Sequence, residues 1–265
     1  MEKKKKGPKV LLAIVLIIGL LAGFIAVNSS KNMKVMRNTI SSGMQVLTDK
    51  AAITPADAGE FKEIKMYGLM KFDVDQYEVS EFGNLSVMTV NMGFMQMVSF
   101  VLTPYEKNMP LLSMDFMYIL GNRKAYVEFY DLVPDKTTPE YTAVMESIQE
   151  YADRFSDLED VEATPAWYEE LMTVVLHKGG KRADDARIEE LFTEAVDPYI
   201  SEAAAAGRLT KEEQTEKLEL TQEFSDNLIT NGGVSTDVFK KALGEEKTKE
   251  FFDKVFFGTE RSTRE

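Results

Sequence analysis

The chain has 265 residues, of which 44% are hydrophobic and 28% charged, so it can bury a full core and is not expected to be disordered. It contains no cysteine and a single histidine, which excludes disulfides, thiolate catalysis, iron–sulfur clusters and histidine-rich metal sites, and no metal site is predicted. The formal net charge is −13 although five lysines lie within residues 1–9, so the rest of the chain should repel nucleic acid and anionic lipid, and no nucleic-acid partner is expected.

A basic N-terminal segment, residues 1–9, precedes residues 10–27, an uninterrupted run of apolar residues and glycine. A helix of this length crosses most of a hydrocarbon core of about 30 Å, so we predict one transmembrane anchor in contact with membrane lipid. Basic residues flank the run and are denser before it, which favours a single-pass cell-membrane protein with a cytoplasmic N-terminus and its body outside. A cleaved signal peptide is the alternative, but the run exceeds the usual apolar region and no Ala-x-Ala site precedes Asn28.

Residues 28–60 are predicted to form a membrane-proximal helix and a linker. The apolar stripe of this short helix recurs at helical spacing and consists of Met36, Ile40, Met44 and Leu47. A break at residues 55–59, rich in proline and glycine, ends the segment. The main domain is expected at residues 61–258, and residues 259–265 form a polar tail.

The next part of the chain carries strand patterns. Five strands are predicted, at residues 69–79, 85–92, 95–102, 114–120 and 124–132. Gly83-Asn84 and Gly121-Asn122 are expected in tight hairpin turns, because such turns need residues that tolerate positive φ. Successive strands should therefore pair in an antiparallel meander.

After Pro134 the apolar period becomes helical. The three stripes are Val144, Ile148, Tyr151 and Phe155; Ile188, Leu191, Phe192, Val196 and Tyr199; and Leu218, Phe224 and Leu228. Gly232-Gly233 should end the third helix, and a last helix is predicted over residues 236–256. Strands followed by helices indicate an α+β fold in which helices cover the faces of an antiparallel sheet, an α/β/α sandwich preceded by one transmembrane helix.

Asp115 is the most informative candidate for chemistry. It lies on a predicted strand among apolar neighbours, and Met117 and Ile119 share its face. Burial raises the pKa of such a carboxyl, which is how an enzyme keeps a proton donor near neutral pH. The alternative is an acid that caps the loop near Pro110 and Ser113, or one at a strand edge facing water.

Further polar residues and methionines in the strands are candidates for binding a substrate. Alternation places Glu128 on one face with Tyr126 and Tyr130, which is either solvent-exposed or the wall of a polar pocket. Methionine-rich strands line adaptable apolar pockets or simply fill cores. The candidate substrate-binding residues are Glu128, Ser99, Asn91, Met97 and Met117. His177 and Trp167 are instead interpreted as a helix C-terminal residue and a packing residue at a helix start.

Nucleotide-binding, hydrolase, zinc-peptidase and kinase motifs are absent from the sequence. Neither GxxxxGK[ST] nor GxGxxG occurs, and there is no GxSxG or HExxH. Ordinary enzyme signatures therefore give no assignment.

Three stretches carry a resemblance to a known family. They are Thr103-Pro104 with residues 109–115 and 126–129; Pro165-Ala166-Trp167; and residues 238–244 with residues 255–257. Their order over residues 60–258 resembles the ferredoxin-dependent bilin reductases and their relatives, which include red chlorophyll catabolite reductase. The resemblance implies an antiparallel sheet between helices, with a linear tetrapyrrole bound between the sheet and the C-terminal helices.

The resemblance also implies a chemistry. Electrons come from reduced ferredoxin, protons come from acidic side chains, and no tightly bound cofactor is expected. Asp115 matches the family's sheet aspartate and inherits the role of proton donor. Ser99 falls near a position where relatives carry histidine or asparagine. The second aspartate of many relatives, in an Asn-Asp pair, is missing, because Asn231-Gly232 stands there.

Two functions follow as hypotheses. One is a membrane-anchored reductase of a linear tetrapyrrole, with Asp115 as the proton donor and an external ferredoxin-like electron donor. The other is a non-catalytic membrane-tethered module that binds a hydrophobic ligand or an envelope protein. An exported body could not meet cytosolic ferredoxin. Three alternatives follow: the membrane topology is the reverse of the one predicted, the electron donor is not ferredoxin, or the fold serves to bind a ligand without reducing it. The sequence gives no oligomeric state.

Overall fold

The computed structural model of the chain describes residues 8–66 and 70–260. The predictions for the basic segment, except its last two residues, and for most of the polar tail lie outside this range. So does the first residue of the strand predicted at 69–79.

A single helix, α1 (Pro8–Lys50), joins the predicted anchor to the predicted membrane-proximal helix. The prediction of a separate short helix was therefore wrong, because nothing between residues 27 and 36 breaks the helix. Its second half packs on the body, with Met36 and Leu47 buried. Its first half leaves large apolar side chains such as Leu20 and Phe24 exposed. Among the described residues, this helix alone is long and apolar enough to cross a membrane.

Nine strands form one antiparallel sheet. They are β1 (Ile53–Ala56), β2 (Glu63–Met66), β3 (Met70–Val79), β4 (Gly83–Asn91), β5 (Met95–Pro104), β6 (Leu111–Ile119), β7 (Asn122–Tyr130), β8 (Glu159–Asp160) and β9 (Met172–Lys181). The order is β1-β3-β4-β5-β6-β7-β9-β8, and β2 also pairs with β3. The five predicted strands, β3 to β7, are confirmed as a meander.

Both predicted hairpin turns are displaced by a residue or more. Gly83 and Asn84 lie inside β4, and the turn before them is made by residues 80–82, where Glu81 has φ 57°. The second turn is centred on Leu120 and Gly121, with Leu120 at φ 52°, so Asn122 already begins β7. Asn84 is instead buried and bonds to Gln76 and to the carbonyl of Val255.

Strand β9 contradicts the interpretation of His177 as the end of a helix. The strand pairs with β7 along its full length, with Tyr126 opposite His177. Val174 and Leu176 are buried, whereas Val175 between them lies on the other face. The period is therefore that of a strand. Trp167 likewise begins no α-helix but precedes a single 3-10 turn, Glu169–Leu171.

Helices cover both faces of the sheet. They are α1, α2 (Pro139–Asp153) and α3 (Asp185–Ala205) on one face, and α4 (Lys211–Asn231), α5 (Val234–Leu243) and α6 (Glu245–Phe251) on the other. The predicted apolar stripes of α2 and α3 are confirmed, and both stripes pack on the same face of the sheet. The last predicted helix is wrong as one element: it breaks at Gly244, where φ is 83°, and ends in a π-helical turn, Phe252–Phe256.

Each face carries its own core. The core under α1 to α3 centres on Phe192, whose ring contacts the rings of Phe100 and Phe116 edge to face at 5.1 Å. Gly43 of α1 admits this ring, since a Cβ there would lie 2.2 Å from Phe192 Cε1. The core under α4 to α6 is a cluster of phenylalanines around Phe251.

Candidate active site

A cavity of about 550 Å³ lies between the sheet and the C-terminal helices. Its floor is formed by β6, β7 and β9. Its roof is formed by α4, the loop that leads into α5, and the π-helical turn, and residues 163–169 close one side. The floor residues are Leu111, Ser113, Asp115, Met117, Tyr126, Glu128, Tyr130, Met172, Val175 and His177. Half of the roof residues are phenylalanines, and the roof consists of Phe224, Leu228, Gly233, Ser235, Thr236, Phe252, Phe256 and Phe257.

The register of the sheet brings the polar floor residues together. Ser99 of β5 lies directly opposite Asp115 of β6, Asp115 opposite Tyr126 of β7, and Tyr126 opposite His177 of β9. One polar row therefore crosses four strands on the same face. Glu128 lies on this face one step along β7, because residues two apart in a strand share a face.

Asp115 is half-buried at the floor of the cavity. Burial raises the pKa of Asp115 to about 6, a hydrogen bond from Ser99 lowers it, and the negative charge of Glu128 raises it. Ser99 Oγ donates to Asp115 Oδ1 at 2.5 Å. Because burial outweighs the hydrogen bond, this carboxyl still holds its proton between about pH 4 and pH 6, where an ordinary aspartate is ionised.

Glu128 and His177 form a second polar group beside Asp115. The Nε2 atom of His177 lies 2.7 Å from Glu128 Oε1. Tyr130 donates its hydroxyl to Glu128 Oε2 at 2.5 Å, and the Tyr126 ring meets the imidazole edge to face at 5.0 Å. Burial and the charge of Glu128 raise the pKa of Tyr130 well above its usual value, so the phenol stays a donor. Both carboxylate oxygens of Glu128 are thus held in place.

The other residues predicted to bind substrate have different positions. Met117 lines the cavity. Met97 lies opposite Met117 on β5 and packs against the core under α4 to α6, outside the cavity lining. Asn91 does not line the cavity. It lies at the β4–β5 turn, where its side-chain oxygen accepts from the Gly93 amide and from Gln96. Its role there is that of a turn residue.

Sequence reasoning missed several residues of the site. His177, Tyr126, Tyr130 and Tyr168 all line the cavity. For Tyr126, Tyr130 and His177 the signal lay in the alternation of β7 and β9, but the pairing of these strands was not predicted. Tyr168 lies outside both strands. Trp167 borders the site, and its indole Nε1 donates to the Gly232 carbonyl at 2.8 Å.

The match to a family model decides the assignment. The model described as ferredoxin-dependent bilin reductase matches residues 38–258.

The chain belongs to the ferredoxin-dependent bilin reductase family.

The resemblance found in the three sequence stretches is thereby confirmed. No curated protein gives a significant match.

Among solved structures, the fold of this family member is similar to the crystal structure of phytochromobilin synthase from tomato in complex with biliverdin. The TM-score is 0.68 at 11% sequence identity, over 87% of this chain and 85% of that chain. The expected antiparallel sheet between helices is confirmed. At this identity the likeness shows the fold, and the chemistry has to be argued from the residues of this chain.

Two features of the site bear on that chemistry. In the part of the chain that the structure describes, no three His, Asp or Glu side chains are placed to hold a metal ion. Where the resemblance led us to look for a second aspartate, the cavity is lined by Gly233, Ser235 and Thr236. The titratable groups that line the cavity are therefore Asp115, Glu128 and His177, together with tyrosines, on the floor and Glu169 on the side closed by residues 163–169.

Proposed function

We propose that this protein is a membrane-anchored bilin reductase that protonates a linear tetrapyrrole from the floor of its sheet. The observation that carries the proposal is Asp115, a carboxyl whose pKa is raised to about 6 by burial and which faces a cavity with an aromatic roof. A group with this pKa can donate a proton near neutral pH and be reprotonated from solvent. Family membership supports the substrate class.

The cavity suits a flat, conjugated and largely apolar ligand. Its volume of about 550 Å³ falls within the range of roughly 300–1,000 Å³ usual for small-molecule sites. Phe252 and Phe256 stack at 5.3 Å in the roof, and aromatic faces of this kind pack well against a conjugated ring system. The hydrogen-bonded carboxylates and the imidazole lie on the floor, where they can fix the orientation of the pyrrole nitrogens.

The reaction requires two electrons and two protons for each double bond reduced. We propose that a ferredoxin-like donor supplies the electrons one at a time, as the family name implies. Asp115 supplies one proton, and Ser99 fixes the carboxyl through its hydrogen bond. We propose that His177 supplies the other, because an imidazole can carry a proton to a ligand and Glu128, 2.7 Å away, orients this ring.

Helix α1 supports the membrane anchor. The large apolar side chains between Val15 and Val27 are exposed, and such a surface is stable only in lipid or against a partner. We propose that residues 10–27 cross the cell membrane once with the body outside, and that 61–258 is the reductase domain. The electron donor must then be an exported or membrane-bound carrier, because cytosolic ferredoxin cannot reach the body.

A second candidate function is binding without turnover. It is favoured by the Gly233-to-Thr236 stretch, which puts no carboxylate where the resemblance leads one to expect the second aspartate. A protein of this kind would hold a tetrapyrrole or another hydrophobic ligand at the membrane.

The test uses the full chain in lipid nanodiscs with biliverdin and a ferredoxin reducing system. We expect a shifted visible spectrum on binding, followed by loss of the biliverdin band under reduction. Asp115→Asn should bind biliverdin and lose turnover by about 10²- to 10⁴-fold, the usual contribution of a positioned acid. The matched control is Asp75→Asn, an exposed aspartate on β3 of the same sheet. Full turnover in Asp115→Asn would refute the proposal, and binding without any turnover in the wild type would select the second candidate.

A further inference from the structure

The junction between the apolar half of α1 and the body is fixed by polar contacts. Asn32 Nδ2 donates to the carbonyls of Tyr118 and Leu120, at the β6–β7 turn. Arg182 Nη2 donates to Asn28, Asn32 and the Leu120 carbonyl. Because α1 continues without a break through this junction, the body cannot swing freely about its anchor. The orientation of the anchor therefore sets the orientation of the sheet.

The turn between β4 and β5 reaches along α1 past this junction. A Cβ on Gly93 would lie 3.6 Å from Ile25 Cγ2, inside the apolar run. Ile25 is 36% exposed, whereas Leu20 of the same run is 74% exposed. The next residue, Phe94, is 49% exposed and is one of the large apolar side chains outside α1 that the fold leaves exposed to solvent. Ser29 Oγ and Gln96 both bond Asn91 and hold the turn beside the helix.

The rise per residue of α1 gives the depth in the bilayer of each residue that contacts this helix. Ile25 lies two residues before the end of the apolar run, which is about 3 Å at 1.5 Å per residue. The β4–β5 turn therefore lies at the boundary between hydrocarbon and headgroups once the run fills the hydrocarbon. Asn32 lies five residues beyond the run, or about 7.5 Å, which places the β6–β7 turn within the headgroup layer.

Cations lie at the headgroup level. Lys31 and Lys34 are exposed on α1 just beyond the apolar run. The acceptors of Arg182 at the junction are neutral, being two asparagine oxygens and one carbonyl. Phosphate groups of the bilayer complement such charges. The membrane-facing end of the body thus combines an exposed aromatic residue with basic residues, although the chain as a whole is acidic.

We propose that the body docks on the lipid bilayer through this end of the sheet, with Phe94 of the β4–β5 turn inserted in the interface beside the anchor. The proposal rests on the membrane anchoring proposed above. An exposed phenylalanine is stabilised at this interface because its apolar ring is buried at the boundary between headgroups and acyl chains. Docking turns the Met117 and His177 end of the cavity toward the bilayer, since β6 and β9 both run in that direction.

The test uses site-directed spin labels, which the absence of native cysteine allows. Full-length Phe94→Cys, Ile17→Cys and Lys136→Cys variants are labelled and reconstituted in phospholipid vesicles. Ile17 lies within the apolar run, and Lys136 is exposed near the opposite end of the sheet. Collisions with oxygen, which enters lipid, and with a water-soluble nickel chelate are then measured by paramagnetic resonance. Retention of the far-ultraviolet spectrum confirms folding.

We expect the label at residue 94 to resemble that at residue 17, with frequent oxygen collisions and at least threefold fewer nickel collisions than at residue 136. Equal nickel accessibility at 94 and 136, with residue 17 in lipid, would overturn docking and leave the anchor intact. Few collisions of both kinds at 94 would indicate a protein partner or a second copy and would also overturn the proposal. A label at 17 that is exposed to nickel would refute the anchor itself.

Discussion

Burial raises the pKa of Asp115, and two neighbours then shift this pKa in opposite directions. Removing these neighbours one at a time tests this part of the site. Ser99→Ala removes a hydrogen bond to the ionised carboxylate. Glu128→Gln removes a negative charge that disfavours ionisation. The first change should therefore raise the pKa of Asp115, and the second should lower it. Burial stays the same in both variants.

The magnitude follows from the structure. A hydrogen bond to a charged group contributes about 1.5–3 kcal/mol, and about 1.4 kcal/mol corresponds to a tenfold change in an equilibrium constant. Ser99→Ala should thus reduce the acid dissociation constant of Asp115 by about 10- to 100-fold. Glu128 acts through space from the adjacent strand, where diagonal neighbours are about 7–8 Å apart. Its removal should raise the constant, by less than Ser99→Ala reduces it, because Glu128 is the weaker influence.

The assay is infrared difference spectroscopy of the carboxylic C=O band as a function of pH, assigned by its loss in Asp115→Asn. The wild type should titrate near pH 6. Ser113→Ala is the matched control, because Ser113 lines the same cavity on the same strand. A Ser99→Ala midpoint at or below that of the wild type would refute the reasoning, as would a wild-type midpoint near 4.

The same pKa has a consequence for stability. The folded value of about 6 lies above the ordinary value of 3.8, so the folded state binds more protons than the unfolded state between these pH values. The stabilisation from this group is therefore complete below about pH 4 and is lost as pH rises through about 6. The difference amounts to about 3 kcal/mol at most. Asp115→Asn should remove this part of the pH dependence of unfolding.

Two further predictions concern His177 and Gly43. His177→Gln keeps a hydrogen-bond donor for Glu128 but cannot carry the proton. Turnover of biliverdin should therefore fall by about 10²-fold or more, while the binding spectrum is retained. Unchanged turnover in stopped-flow absorbance would exclude the imidazole from the reaction. Gly43→Ala forces a Cβ against the fully buried Phe192 ring and should lower the free energy of unfolding in detergent by about 1–3 kcal/mol. The control is Gly19→Ala in the same helix, whose Cβ meets no atom within 4 Å and which should leave the free energy of unfolding unchanged.

Much of the fold could be predicted from local sequence patterns. Strands β3, β6 and β7 alternate buried with more exposed residues along most of their length, whereas β4 and β5 bury residues on both faces. The stripes of α2, α3 and α4 have helical spacing. Strand β9 was missed because Val174 and Leu176 face one core while Val175 faces the cavity. A strand that is apolar on both faces reads as a continuous apolar run, which periodicity cannot distinguish from a helix.

The candidate site was predictable only where it depends on local pattern. Alternation alone placed Asp115 on the same face as Met117. The contact between Glu128 and His177 depends on the pairing of β7 with β9, which are separated by α2 and a long connection, and no local signal determines such a pairing. The prediction that Asn91 binds substrate was wrong because its local pattern fits two different roles. A polar residue at a strand end serves the turn as readily as a ligand, and here it accepts the amide of Gly93.

The two faces of the sheet show how an acidic floor can exist in an apolar fold. The face under α1 to α3 is packed by apolar and aromatic side chains from both layers. On the other face, an unpaired polar group would cost roughly 2–7 kcal/mol on burial. The floor offsets this cost by pairing, since Ser99 satisfies Asp115, and His177 and Tyr130 satisfy Glu128. Only Asp115 keeps one carboxylate oxygen free of these bonds, so it is the acid best placed to transfer its proton to a ligand.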